Sequence, residues 1–393
     1  MVNDQLIYLD NASTSFPKHR FDIDKFVFSE PQTLNRRGYS SNYNLENLLE
    51  ETRELFKNFI DCEGKENLVF TLNSTHAINI GLRGCLNKGD HVITSKYEHA
   101  AVARTLEALK EEGLITYSTL DKIDDNSTAE EFAIEFTRLK KPNTTMLIMI
   151  HGSNVTGNFI FKKEFGQIAS SNGVKVFLDA SQSIGSTAFS LKEMNVDLMA
   201  FSGHKGLLAF TGIGALYFKS SLKMRIHLNG GTGKGSEVNL VYSDKEADYE
   251  TGTPNIPALY SINQSIKHIN YIGIDNYVNH KMNIYKYLED EISELKEIKI
   301  YKNSCNDSLP LLSFNIRGMN PVQETSIVLE NAFNIVTRAG LHCSPRAHKT
   351  IGTYPFGTVR VSPGYYNSKM DIDYFVNAVK KITKEMGSLN VFR

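Results

Sequence analysis

Lys205 closes the string Ser202-Gly203-His204-Lys205, and Asp179 follows Val174-Lys175-Val176-Phe177-Leu178, so each lies just past an apolar, strand-like run. In an open α/β sheet, polar groups released at the carboxyl ends of strands face the ligand crevice. A lysine there can condense with an aldehyde, and a carboxylate facing a pyridine nitrogen keeps it protonated, which strengthens the ring as an electron sink. The pair suggests a covalently held pyridoxal phosphate. A solvated loop lysine and a helix-capping aspartate account for the same two residues, so the rest of the chain has to decide.

Other polar groups fall at comparable positions. Asn73-Ser74-Thr75-His76 follows a strand and opens a helix, a place where backbone N–H groups and hydroxyls suit a phosphate, or simply cap the helix. His99, in Tyr97-Glu98-His99, can lie against an aromatic ring and move protons, or can be structural. Asn154 and Gln182 end strand-like runs and can donate to a phenolic oxygen or satisfy loop backbone. Gly230-Gly231-Thr232-Gly233-Lys234-Gly235-Ser236 fits neither Walker A nor GxGxxG spacing and reads as a mobile loop. Arg338-Ala339-Gly340-Leu341-His342-Cys343 ends the run Ile335-Val336-Thr337 and sets a thiol beside a histidine and between Arg338 and Arg346. A positive neighbourhood favours the reactive thiolate, although a free cysteine also serves as an inert small hydrophobe. Arg360, on a β-like segment, offers a planar fork for a carboxylate or is an exposed strand arginine.

These residues need a scaffold that brings strand ends together. From about Glu46 to Phe218 amphipathic helices alternate with β-rich runs, Leu68–Thr71, His91–Thr94, Met146–Ile150, Val174–Leu178 and Asp197–Phe201. That alternation predicts an α/β fold with a mostly parallel sheet covered by helices. Beyond Pro254 come a long helical stretch from about Leu259 to Leu295, the runs Leu311–Ile316 and Thr358–Val361, and a last helix with Phe375, Val376, Val379, Ile382 and Met386 mainly on one face. We expect a large domain over 14–257 and a smaller α+β domain over 258–393 joined by residues 1–13, with the site in the cleft between them.

Composition narrows the partners. With 43 Lys plus Arg against 44 Asp plus Glu, the chain carries a formal charge of −1, which supplies no electrostatic footprint for nucleic acid or an anionic membrane. Met1-Val2-Asn3-Asp4-Gln5 has neither a basic start nor an apolar core, and no apolar run reaches spanning length, so a soluble, cytoplasmic protein is expected. Four cysteines without zinc or redox spacing predict neither a disulfide framework nor a metal site.

Taken in order, the motifs resemble the class V aminotransferase family of fold-type I pyridoxal-phosphate enzymes, in its cysteine desulfurase and selenocysteine lyase branch. Tyr8-Leu9-Asp10-Asn11-Ala12-Ser13-Thr14 is similar to the family's N-terminal YLDNAAT signature, and Glu250-Thr251-Gly252-Thr253-Pro254-Asn255 to its AGTPN segment. The resemblance implies that Lys205 holds pyridoxal 5'-phosphate covalently, Asp179 faces the pyridine nitrogen, His99 stacks on the ring, and Gln182 and Asn154 contact the phenolic oxygen. Ser74, Thr75, Ser202 and His204 would hold the phosphate. Thr253 would reach the cofactor of a partner subunit, which implies a homodimer. Cys343 matches the catalytic cysteine of the branch's RxGxHC motif, and Arg360, with Asn154 and Arg338 nearby, would bind the carboxylate of L-cysteine or L-selenocysteine. The short spacing from Cys343 to Arg360 resembles the SufS-like group, and a sulfur-acceptor protein is implied. Two positions depart from the pattern: His76 stands where an acidic residue is usual, and Arg346 where an apolar one is common.

Overall fold

The computed structural model describes residues 6–29, 45–62, 66–231, 246–302 and 308–390. Seven strands form one sheet in the order Asn67–Thr71, Gly214–Phe218, Leu198–Ser202, Lys175–Asp179, Thr144–Ile150, Asp90–Ser95, Ile115–Leu120. The last five are mutually parallel, and Gly214–Phe218 runs antiparallel to both of its neighbours. Five of the seven coincide with the apolar runs of the sequence. Ile115–Leu120 and Gly214–Phe218 were not expected. The first is an edge strand whose Thr116, Ser118 and Thr119 dilute any apolar pattern, and the second begins on a glycine.

Because strand side chains alternate between faces, the sheet has two cores. Leu147 and Met149 pack with Phe132, Phe165 and Phe201 on one side, whereas Met146 and Ile148 pack with Ile78, Val102 and Leu106 on the other. Helix Ile256–Ile272 adds Leu259, Ile262, Ile266 and Ile269 to the first of these cores.

The single long helix expected over Leu259 to Leu295 is in fact two, Ile256–Ile272 and Ile274–Ser293. Gly273 separates them at φ +86, a left-handed conformation that costs glycine little and a side-chain-bearing residue considerably more. The second helix turns Tyr285, Leu288 and Ile292 onto an antiparallel sheet ordered Arg338–Gly340, Thr358–Val361, Leu312–Ile316, Ile298–Ile300. The final helix, Lys369–Asn390, closes the same core with Ile372, Phe375, Val376, Val379 and Ile382. The side chain of Met386, Cys305 and the stretch 232–236 lie outside what the structure describes. Ile7–Tyr8 pairs in parallel with Ile335–Val336, so the N-terminal signature belongs to this second layer. No helix among the described residues is long and apolar enough to cross a membrane.

Candidate active site

The carboxyl edge of the large sheet collects five polar segments. Asn73 caps helix Ser74–Cys85 by accepting from the His76 amide, and Ser202 Oγ accepts from the Ser74 amide at 2.9 Å and donates to Ser74 Oγ at 3.1 Å. This close approach needs Gly214 opposite, where a Cβ would sit 2.8 Å from the Asn73 backbone. Asp179 is buried, and its Oδ1 accepts from the amide and hydroxyl of Ser181, which fixes the carboxylate at the strand end. It is therefore a turn-forming residue at the end of its strand. His99 Nδ1 accepts from the Ala101 amide at 3.1 Å, so that nitrogen is unprotonated and Nε2 carries the hydrogen. Gln182 Nε2 donates to Ala12 O at 3.0 Å. Thr75 is exposed on the first turn of its helix, and Thr253 is exposed on the wall of a surface cavity shared with Thr71 and His76, flanking the Ser74–Ser202 cradle.

The second layer presents its arginines and thiol to this edge. Arg360 is buried; its Nη2 donates to Asp10 Oδ1 at 3.0 Å and Ser13 Oγ at 2.9 Å, and Nη1 to Asn154 O. The arginine is thus an enclosed anchor and not an exposed strand residue. Its Nε has no partner among the described residues, and Nη1 donates only one of its two hydrogens. Arg338 donates to Ser13 Oγ at 2.9 Å and lies 3.9 Å from Cys343 Sγ. Cys343 is exposed, and both it and His342 adopt left-handed backbone, φ 58 and 46. Neither is glycine, so the pair stores roughly 1–2 kcal/mol per residue of strain that neighbouring contacts must offset. Three do so: Ala100 N donates to Cys343 O at 2.8 Å, Asn154 Nδ2 to His342 O at 2.6 Å, and Ser344 Oγ to Asn154 Oδ1 at 2.8 Å. Both ends of the Asn154 amide are therefore committed to the cysteine segment, a role its sequence position did not reveal.

The sequence profile of the aminotransferase class-V family matches residues 7–375, which takes in every one of these segments. The chain belongs to the class-V aminotransferase family. Among curated relatives of this class-V chain, a Methanothermobacter thermautotrophicus protein named probable cysteine desulfurase is 33% identical over 388 residues, covering 96% of this chain and 94% of that one. Among solved structures, the apo cysteine desulfurase of Thermococcus onnurineus NA1 superposes with a TM-score of 0.84 at 25% identity, covering 97% of this chain and 95% of that one. The cysteine desulfurase CsdA of Escherichia coli gives 0.82 at 25% identity, with the same coverage.

Members of the class-V family depend on pyridoxal phosphate, and the residues present fit that group. His204 Nδ1 is a buried ring nitrogen with no partner among the described residues, one position before Lys205, and the Ser74–Ser202 cradle sits at a helix N-terminus suited to a phosphate. Protein packed around the Lys205 ammonium lowers its pKa to about 8, against the opposing pull of Asp179, although part of its surface stays open to the cleft. Glu98, which the sequence offered only as a neighbour of His99, is fully enclosed; burial pushes its pKa up to about 8, and Oε1 accepts from Ser95 and from the Ile150 amide.

Burial lowers the imidazole pKa of His91, His99, His204 and His348 to about 4 and of His151 to about 3. A folded-state value below the ordinary 6.5 means that the unfolded chain binds protons first as pH falls. The share of stability carried by these imidazoles is thus complete above about pH 6.5 and is lost progressively down to about 4, or about 3 for His151, outweighing the opposite contribution of Glu98, which grows as pH falls from about 8. For enclosed His151 the slope approaches about 1.4 kcal/mol per pH unit, and solvent screening leaves His91 and His348 smaller shares. Thermal unfolding followed by circular dichroism should show Tm falling already between pH 6.5 and 5, above the range in which ordinary carboxylates titrate. A flat Tm across that window would contradict the assignment of neutral buried imidazoles.

Proposed function

We propose that this class-V protein is a cysteine desulfurase, holding pyridoxal phosphate on Lys205 and moving the sulfur of L-cysteine onto Cys343 with release of L-alanine. The observation that carries the reading is the placement of a free, exposed thiol 3.9 Å from Arg338, whose guanidinium shares Ser13 Oγ with Arg360. A transaminase has no use for a thiol at that place.

When bound, the cofactor serves as an electron sink for the substrate's α-carbon. Ser74, Thr75, Ser202 and His204 would hold its phosphate, Asp179 its ring nitrogen and His99, a neutral imidazole, the ring, with Gln182 and Asn154 on the phenolic side. Arg360, with uncommitted hydrogens on Nε and Nη1, orients the substrate carboxylate, with Arg338 beside it. The Lys205 amine, whose pKa near 8 leaves a useful neutral fraction, takes the α-proton. Cys343 then gives up its proton and attacks the substrate sulfur: the Cβ–S bond breaks, its electron pair remains with carbon, and a new S–S bond forms. Carbon takes up a proton to give alanine. The sulfur, oxidised to the sulfane level, stays as a persulfide until an acceptor thiol removes it.

The same reading places the protein in the SufS-like group, in the cytoplasm, as a homodimer in which Thr253 reaches the partner subunit's cofactor. It divides the chain into residues 14–257, binding the cofactor, and 258–393 together with 1–13, bearing the thiol. The purified protein, incubated with L-cysteine and a dithiol reductant, should form sulfide and alanine in equal amounts. Pyruvate in place of alanine would overturn the assignment, and turnover of L-selenocysteine alone would reassign the enzyme as a selenocysteine lyase.

A further inference from the structure

Arg346 lies three residues beyond Cys343, in the first turn of helix Pro345–Thr350. It points away from the arginines of the cleft. Nη2 donates to Tyr117 Oη at 2.7 Å, and the guanidinium carbon sits 5.5 Å from the centroid of the same ring. Tyr117 Oη in turn donates to Glu107, whose carboxylate lies 4.0 Å from Arg346 and accepts from Lys110 at 2.8 Å. Tyr117 belongs to the edge strand of the large sheet, and Glu107 to helix Ala100–Glu111. That helix also supplies the Ala100 amide that holds Cys343 O. One helix therefore meets the cysteine segment twice, through backbone at its start and about two turns later through Glu107, whose carboxylate also accepts from Tyr117 of the edge strand.

The grip meets a local need. His342 and Cys343 are both strained, and the six-residue helix that follows is too short to hold its shape unaided. Backbone contacts hold the strained pair from one side, and within Pro345–Thr350 the buried Ala347 and His348 seat one face of the helix on the core, which leaves Arg346 as the residue that ties its other face to the large sheet.

We infer that Arg346 is a positioning residue, which fastens the helix after Cys343 to the large sheet through Tyr117 and Glu107 and so keeps the thiol on the Lys205 side of the cleft. The catalytic part of this inference rests on Cys343 as the sulfur carrier; the anchoring part does not. A planar, forked cation is needed, because the contact combines stacking with a directed N–H and an ionic neighbour.

Holoenzyme variants Arg346→Ala and Arg346→Lys test it by hydrogen exchange, by alkylation of Cys343 with iodoacetamide, and by steady-state kinetics with L-cysteine. In Arg346→Ala, amides of residues 341–349 should exchange about tenfold faster or more while those of 144–150 are unchanged. Alkylation should quicken about threefold or more, and kcat should fall about tenfold with KM within about twofold, the signature of a displaced reacting group. Arg346→Lys, which keeps the charge and loses the fork, should fall between the parent and Arg346→Ala. Unchanged exchange would overturn the anchor, and faster exchange with an unchanged kcat would overturn its role in positioning. Full sulfur transfer by Cys343→Ser, alongside faster exchange in Arg346→Ala, would remove the sulfur-carrier reading and leave the anchor standing.

Discussion

Replacing Lys205 with alanine should reduce alanine formation from L-cysteine by at least about a thousandfold, since a positioned proton-transfer group alone contributes about a hundred- to ten-thousandfold. The loss of covalent attachment should be visible separately. Borohydride reduction of the parent, followed by peptide mapping, should leave the pyridoxyl label on Lys205, and the variant should carry none. The alternatives are specific. Burial also lowers Lys18 to about 8 and Lys281 to about 7, so acidity by itself would choose Lys281. Geometry chooses otherwise: Lys281 Nζ donates to Gly185 O and lies 4.3 Å from the Tyr277 ring centroid, and Lys18 Nζ is shared among Thr14, Ser15 and His204 O. A label on either would move the reacting centre away from Asp179 and His99 and defeat the proposed chemistry.

Cys343→Ser should abolish protein-bound sulfane sulfur. After anaerobic incubation with L-cysteine, cyanolysis should find about one such sulfur per parent chain and none in the variant, with alanine formation down about a hundredfold or more. Turnover of L-selenocysteine should fall less than about tenfold, because selenium leaves carbon more readily and asks less of the thiol. Among the other cysteines, burial pushes Cys85 up to about 12, which leaves almost no thiolate to compete. Sulfane sulfur retained by Cys343→Ser would locate the carrier elsewhere and require a different reading of the cleft.

The parts of this site that were legible in the sequence sit at the ends of apolar runs. Asp179, Ser202 and Lys205 could be placed because a parallel strand buried on both faces is written as an uninterrupted apolar stretch, and its end is where polar residues resume. Contacts across the fold were not legible. Arg360 finds Asp10 across 350 positions, and nothing local to either residue announces the other. The double left-handed turn at His342 and Cys343 was hidden for another reason: where strain is held by distant donors, the residues need not be glycine, so the usual marker is missing. The hold of Asn154 on the cysteine segment was equally hidden, because the carbonyl to which it donates lies 188 positions away. Gly273, by contrast, was readable as a break between helices and was passed over in favour of the periodicity on both sides of it.

The pairing of the first strand with the far end of the chain bears on the order in which the protein is made. Asn11 donates to Ser362 O across 351 positions, and Ile7–Tyr8 has no strand neighbour other than Ile335–Val336 among the described residues. At about 5–20 residues per second, the N-terminal signature waits roughly 20–70 s on the ribosome for its partners. Every strand of the large sheet is synthesised well inside that interval. The strands that carry Asp179 and Lys205 on their carboxyl edge can therefore pair before Arg360 has been made for Asp10 to dock on. The last contacts the fold can complete are therefore those that bring the second layer over that edge.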